Sequence, residues 1–518
     1  MKHNRLAFCK LLFACILLTT VSCRDEWNSH YKQDDGLSSK ENLWQIIQAQ
    51  PELKRFADIL KTAGYDEILS KPHMFTIWAP KSETINTLDT SNPLLVKEFI
   101  GNHFANFAIP ATGYGSRSIA MPNNKVVKFA YSGSGYTFGD VSVTQANILA
   151  SNGVLHIING YVPFQHNIWE YLEKREDLKS VKDYLYSFNR MVFVPELSIP
   201  GDVDPEEGAI IYLDSVFRND NSMFRQIGRI NNEDSTYTMI LPTNKAWNLA
   251  YKEASNYFVY YDRSPQVVDS LKHINAQRVI VNNLVFSNTI NPLSPAEEDT
   301  WTSTTRTVFL NPKRLMEDAI EVPLSNGRVF ITDSLRHKPS ETYHSPVIRE
   351  AEYMMGRETT GAIVTTKRSL GNDLLDSISG NRYLEVVPLS LSNPTITFDV
   401  WGNLSAKYNI YCVFVPPSLE NPAATFPPCK VTYRLTYMDA KGAAVTSSTI
   451  TPAVNITDPK KVTKMLVTAG FRFPVANYGQ EIASVKLRVM SDVTTAEQNN
   501  RIYTRTMLID CIILEPVD

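Results

Sequence analysis

Residue types that carry covalent or metal chemistry are scarce in this chain. Of 518 residues, six are cysteine and nine are histidine. Past Cys23 the cysteines are Cys412, Cys429 and Cys511 only. Three thiols in a chain of this length exclude a disulfide framework and leave room for one bridge at most. The alternating strand patterns around Cys412 and Cys511 suit buried free thiols. There is no His-Glu-x-x-His, Gly-x-Ser-x-Gly, phosphate loop or Cys-x-x-Cys, and the histidines show no metal-ligand spacing. Charge of one sign is also lacking: 51 Lys+Arg stand against 54 Asp+Glu, a net of −3, so no electrostatic footprint for nucleic acid exists. No long apolar run follows the N-terminus, which excludes a multi-span membrane protein. What is present is 43% hydrophobic and 10% aromatic residues, enough for packed cores. At ~150 residues per domain the length suggests three to four domains.

Lys2, Arg5 and Lys10 precede an apolar stretch, Leu11–Val21, of secretory-signal length. It ends in Thr20-Val21-Ser22-Cys23, which resembles a bacterial lipoprotein cleavage box. In that family the cysteine, here Cys23, becomes the lipidated first residue. An ordinary signal peptide cut near Ser22 uses the same run. Arg24-Asp25-Glu26 resembles the surface-export signal of Bacteroidetes lipoproteins. Residues 1–22 are thus expected as signal peptide and 23–40 as a polar tether. Removing Lys2, Arg5 and Lys10 with the leader leaves 496 residues and a net charge of −6.

An internal repeat follows. Asn42-Leu43-Trp44-Gln45-Ile46-Ile47 returns as Asn167-Ile168-Trp169-Glu170-Tyr171-Leu172. Phe75–Pro80 returns as Tyr237–Pro242, Phe99–His103 as Val279–Asn283, and Ser151–Ile157 as Ser325–Ile331. Four blocks in one order, at changing offsets, indicate duplication with insertions. Thr76-Ile77-Trp78-Ala79-Pro80, His103 and Asn152-Gly153-Val154-Leu155-His156-Ile157 resemble the hallmarks of the fasciclin domain. The first copy is placed at 41–164. The second, at 165–340, is divergent: Asn283 and Phe330 replace the two histidines, and about 37 extra residues sit near 188–225. The acidic stretch Gly201–Gly208 in that insert fails the EF-hand spacing and is expected as a solvated loop. His103 and His156 lie in apolar runs and are expected to be core histidines, not catalytic bases.

From about 381 the period changes to two. Ile396, Phe398 and Val400 alternate with polar residues, as do Val431, Tyr433 and Leu435, and Val485, Leu487 and Val489. The expected fold is therefore multidomain: two α+β fasciclin-like domains, a linker at 341–380 with one short helix or strand, and an all-β sandwich or jelly roll at 381–518. Leu404–Pro416 resembles the C-terminal module of Bacteroidetes fasciclin-containing lipoproteins.

The resemblance implies a non-enzymatic surface lipoprotein held in the outer membrane by its lipid. It would serve as an accessory binding or docking subunit of a SusC/SusD-type uptake system for glycans or peptides. Trp401, Tyr411 and Tyr478 are the aromatic candidates for stacking on a ligand. The alternative is adhesion to host or matrix partners through the fasciclin domains. No catalytic residue, metal or cofactor is expected.

Overall fold

The computed structural model describes residues 40–517, apart from 114, 216, 263 and 369–377. The leader, Cys23 and Arg24-Asp25-Glu26 lie outside the described residues. The described chain divides into two compact units, one ending at His166 and the other beginning at Asn167.

In the first unit, helix α1 (Leu43–Ala49) starts at a reciprocal cap. The Asn42 side chain accepts from the Gln45 amide, and the Gln45 side chain accepts from the Asn42 amide. The strands are β1 (Phe75–Pro80), β2 (Phe104–Ala105), β3 (Gly115–Ala120), β4 (Val126–Tyr131), β5 (Tyr136–Phe138), β6 (Val141–Ala150) and β7 (Gly153–Ile158). They form one sheet in the order β2-β1-β7-β6-β5-β4-β3. The parallel pair β1·β7 is buried along its full length, as parallel strands require cover on both faces. One face packs on Leu43, Phe56, Leu60 and Phe99; the other carries Trp78, Phe129 and Phe138.

Two small residues set that pair. Asn152 Oδ1 accepts from Leu43 N at 2.8 Å, while its Nδ2 donates to the carbonyls of Leu69 and Lys71 at 2.7 and 2.9 Å. The next residue is Gly153, opposite Phe75; a Cβ there would sit 2.1 Å from the Phe75 carbonyl oxygen.

The second unit opens with the same construction. Helix α2 (Ile168–Glu173) starts at an Asn167–Glu170 capping box. An insert follows, with strands β8 (Asn189–Phe193), β9 (Ile199–Val203), β10 (Ile210–Asp214) and β11 (Phe217–Asn221). They pair as β8·β11 and β9·β10, and the acidic loop forms the tip between β9 and β10. There Asp204 Oδ1 accepts from the amides of Glu206 and Glu207, which makes the loop a side-chain-capped turn. Then come β12 (Tyr237–Pro242), helices α3 (Asn244–Ser255) and α4 (Pro265–Val281), β13 (Val285–Ser287), the hairpin β14 (Thr300–Thr302) and β15 (Val308–Leu310), β16 (Ile320–Leu324) and β17 (Gly327–Thr332). β12 and β17 are parallel, and Gly327 faces Tyr237 as Gly153 faces Phe75. Asn326 repeats Asn152: it accepts from Ile168 N at 2.9 Å and donates to the carbonyls of Ile230 and Asn232. The sheet here has four strands, β13-β12-β17-β16.

The remaining strands are β18 (Val347–Glu350), β19 (Arg357–Thr360), β20 (Ala362–Arg368), β21 (Arg382–Pro388), β22 (Thr395–Val400), β23 (Lys407–Phe414), β24 (Val431–Met438), β25 (Ala444–Thr446), β26 (Thr463–Arg472), β27 (Val485–Ser491) and β28 (Met507–Pro516). One sheet runs β20-β21-β28-β23-β26, with β18 also on β28; the other runs β19-β22-β27-β24-β25. The linker expected at 341–380 needs correction. β18, β19 and β20 lie inside it and pair with β28, β22 and β21. Their residues are largely exposed, so the sequence shows little apolar alternation there.

A second correction concerns the boundary before that module. One continuous core joins Ala254, Phe258, Tyr260, Ala276 and Val279 around α3 and α4 to Phe398, Tyr408, Ile410, Val489 and Ile512 of the sandwich. The segment after α3 is also tied in by hydrogen bonds, from Ser405 N to the Tyr257 carbonyl and from Ala476 N to the Val259 carbonyl. Phe258→Ala is therefore expected to cost about 3–5 kcal/mol. Amide exchange should then rise together in the sandwich and in β12–β17, while the first unit is unchanged.

The two fasciclin-type histidines are satisfied inside the first unit. His103 Nδ1–H donates to the Phe99 carbonyl at 2.7 Å, and its Nε2 accepts from Val162 N at 3.0 Å. His156 Nε2–H donates to the Ile109 carbonyl, and its Nδ1 accepts from Asn147 N. Burial pushes His103 down to about 4 and lowers His156 as well. Both are thus neutral when folded, whereas the unfolded chain takes up these protons below about pH 6.5. Stability of the first unit should be full above pH 6.5 and should fall by about 3 kcal/mol for His103 as pH drops to 4. Urea titrations across that range check this; His103→Asn should lower stability at pH 7 and flatten the slope.

Candidate functional site

Cross-strand register on the outer sheet of the β-module brings four apolar side chains into one row. Ile348 of β18 lies opposite Ile513 of β28, Ile513 opposite Tyr411 of β23, and Tyr411 opposite Leu466 of β26. The inner face of the same strands holds Ile410, Cys412, Met465 and Ile512 in the core. Alternation therefore turns the Ile348–Ile513–Tyr411–Leu466 row outward. Ile348 is 53% exposed and Leu466 41%. Such a row on a sheet face that already has a complete core beneath it is available for contact.

Charge frames the row. Lys464 Nζ sits 4.2 Å from the centre of the Tyr411 ring and pairs with Glu515 at 2.9 Å. The hydrogen bond from Lys464 holds Glu515 below the usual carboxylate range. The ring is thereby fixed with one flank on a cation, an arrangement worth about 0.5–1 kcal/mol at an exposed site. Tyr411 offers a rigid aromatic surface, and Lys464 and Glu515 offer a donor and an acceptor beside it.

The other two aromatic candidates are not brought to this row. Trp401 Nε1 donates to the Glu481 carbonyl, and its ring lies 5.8 Å from the Arg349 guanidinium. Arg349 is buried and donates to the carbonyls of Asp399, Glu350 and Tyr353, so Trp401 belongs to the brace around that side chain. Tyr478 meets Phe258 edge-on at 5.5 Å, and its carbonyl accepts from Tyr260 Oη at 3.0 Å. It packs within the unit.

Two further places carry polar groups. A cavity of about 220 Å³ at one end of the sandwich is lined by Phe414, Phe426, Leu508, Glu385 and Glu420. Lys367 pairs with both carboxylates, at 3.5 and 3.3 Å, and Tyr383 Oη donates to Glu420 at 2.8 Å. Their charge is therefore largely answered within the protein. Between β18 and β21, ligand atoms of Glu350, Asp510 and Cys511 lie within 4.8 Å of one another. They form the one such group among the described residues. Both Asp510 oxygens accept from Ser379 N, at 3.1 and 3.2 Å. Burial raises Asp510 to about 7 and raises Glu350, with the neighbouring carboxylates adding to both shifts. The oxygens would suit a hard cation; the Cys511 thiol, pushed well up by burial, would not. Cys412, Cys429 and Cys511 are all free and buried. Burial pushes the Cys429 thiol up to about 12, so it is an inert group.

Sequence reasoning reached Tyr411 as an aromatic of the β-module but missed Ile348, Ile513 and Leu466. They become a row only through pairing between strands far apart in the chain. Ile348 also fell within the presumed linker.

Comparison with known proteins follows from this geometry. The model of the fasciclin domain family matches residues 51–162. Stabilin-1 of Mus musculus is 26% identical over 136 residues, which is 24% of this chain and 5% of Stabilin-1. The chain thus spans a small fraction of that relative's length. Among solved structures, a fasciclin domain pair from the insect cell adhesion molecule fasciclin I is 15% identical. That match covers 56% of this chain and 98% of that one, with a TM-score of 0.21. A family 22 carbohydrate binding module from Clostridium thermocellum is 11% identical over 33% of this chain and 91% of its own, with a TM-score of 0.21. Residues 51–162 thus match the fasciclin domain.

Proposed function

We propose that this chain is a non-enzymatic binding protein of the bacterial cell surface. It is anchored in the outer membrane through lipid on Cys23 and exported on the Arg24-Asp25-Glu26 signal. In this reading it is the accessory binding or docking subunit of a SusC/SusD-type system that imports glycans or peptides. Fasciclin domains are in general adhesion or binding modules, which favours a contact function over catalysis. The observation that carries the binding reading is the outward row Ile348–Ile513–Tyr411–Leu466 with Lys464 and Glu515 beside it. A flat aromatic flanked by a donor and an acceptor suits sugar rings, whose C–H faces stack while their hydroxyls hydrogen-bond. No helix among the described residues is long and apolar enough to cross a membrane, so in this reading the lipid alone anchors the chain. Two acyl signals or more suffice for stable attachment.

The family match also favours a second reading, adhesion to host or matrix partners through the fasciclin domain. The two differ in where binding resides: the β-module in the first, residues 51–162 in the second.

Cys23→Ala should move the protein from the membrane fraction to the soluble fraction and abolish labelling by a radioactive fatty acid; unchanged labelling would refute the anchor. On glycan and peptide arrays, Tyr411→Ala should weaken binding roughly tenfold or more with little change in melting temperature. Binding that survives Tyr411→Ala but is lost on blocking residues 51–162 would favour adhesion. Detergent-solubilised outer membrane should yield the chain together with an integral transporter, and recovery as a lone monomer would count against docking.

A further inference from the structure

The cavity at one end of the sandwich has a composition that selects its occupant. Its wall is apolar where Phe414, Val415, Phe426 and Leu508 meet, and Phe414 is buried. Two kinds of polar group interrupt that wall. Glu385 and Glu420 bring carboxylates, and Thr457, Thr504 and Thr506 bring hydroxyls. The carboxylates are only partly engaged. Tyr383 Oη donates to Glu420 Oε1, and Lys367 reaches that same oxygen and Glu385 Oε2. Glu420 Oε2 and Glu385 Oε1 take no hydrogen bond from the described residues. The hydroxyls are engaged in the opposite sense. Thr457 Oγ1 accepts from Cys429 N at 2.9 Å, and Thr504 Oγ1 accepts from Thr506 N at 3.1 Å. Each keeps its O–H, and neither donates it to a described residue. The Thr506 hydroxyl is bonded to no described residue. Thr457 is 8% exposed, so its unused donor lies inside the fold.

We propose that this cavity binds one neutral sugar ring. Three other ligand classes fail against the groups present. An anion would face two carboxylates. An ammonium only donates, so it would leave the threonine donors unmatched, and Lys367 already answers part of the negative charge. A hydrocarbon would cover all of these groups without giving any of them a partner. A sugar hydroxyl both donates and accepts, so it can serve a carboxylate oxygen and a threonine O–H together. The C–H face of the ring then lies on the apolar wall, which includes the half-buried aromatic Phe426. Size agrees. A cavity of ~150 Å³ takes one benzene ring. At about 220 Å³ this one suits a single six-membered ring with its hydroxyls.

The cavity is shaped in advance. Glu420 and Phe426 stand on one loop, and residues 416–428 include five prolines. Proline restricts the backbone, so less freedom is lost when a ligand orders the loop. Leu419 N and Glu420 N donate to the carbonyls of Pro416 and Pro417, and Ser418 N donates to that of Pro459. None of Ile348, Ile513, Tyr411 and Leu466 lines the cavity, so this inference does not rest on the outward row.

The purified protein is titrated with glucose, galactose, mannose and xylose, with binding read by saturation-transfer NMR. At least one sugar should bind with a Kd on the order of 1 mM. Glucuronate and phenethylammonium, as the anionic and cationic comparisons, should bind roughly tenfold more weakly or worse. Glu420→Gln and Thr506→Val should each weaken the sugar roughly tenfold with melting unchanged. A methyl glycoside of that sugar tells the two sources apart: equal binding identifies a chain-terminal ring, lost binding a free sugar, and both support the proposal. No saturation by any of the four sugars at about 50 mM overturns it. So does tighter binding of glucuronate or phenethylammonium, or sugar binding indifferent to both variants. Sugar binding lost in Tyr411→Ala but kept in Glu420→Gln would belong to the outward row, which overturns this proposal and leaves the row standing.

Discussion

Each copy of the repeat hangs on one buried asparagine. Asn152 and Asn326 each spend their whole amide on three main-chain groups, joining the first turn of the opening helix to the segment before the first parallel strand. The bonds to Leu43, Leu69, Ile168 and Ile230 are buried, and an orphaned buried polar group costs about 1–3 kcal/mol. The following glycine then admits a close approach of the partner strand that any Cβ would block. Helix packing, the parallel pair and the hydrophobic faces on either side of the sheet all presuppose that junction. This is why Asn-Gly persists in both copies while the histidines do not.

The divergence of the histidines follows from the same physics. His156 is tolerable in a core because the Ile109 carbonyl and the Asn147 amide satisfy both its nitrogens. Asn147 sits at a register irregularity of β6, with φ of 60°. β16 pairs with β17 residue by residue, without such an irregularity. Phe330 needs no partner, so it stands where an imidazole would carry unpaired nitrogens. Asn283, at the other position, keeps one orphaned oxygen. The exchange from histidine to phenylalanine is thus tied to a different strand geometry next door.

Much of this was legible in the sequence wherever the signal is local. The repeat blocks contain the capping boxes, the Pro-terminated strands and the Asn-Gly turns, each a feature of a few consecutive residues. Period-two alternation marked β22, β24 and β27 because their inner faces are fully buried. What stayed hidden depends on pairing at a distance. β18, β19 and β20 are edge or exposed strands whose polar composition mimics a linker. Phe258 and Tyr260 lie outside every repeat block, and only the fold shows them entering the sandwich core. Trp401 and Tyr478 read as candidates for stacking on a ligand because the Arg349 carbonyl cage and the Phe258 contact cannot be inferred from neighbours in the chain.

The shared core decides how binding on the second unit has to work. Phe258, Tyr260, Ala276 and Val279 are buried against sandwich residues, so the β-module cannot swing on a tether relative to α3 and α4 without exposing them. Each large side chain of this kind contributes about 1.5–3 kcal/mol by its burial, and several together exceed the marginal stability margin that a hinge would need to overcome. The outward row on β23 and the helices of the second copy are therefore carried on one body. Rigidity, rather than the affinity of any single face, is what this arrangement contributes to binding.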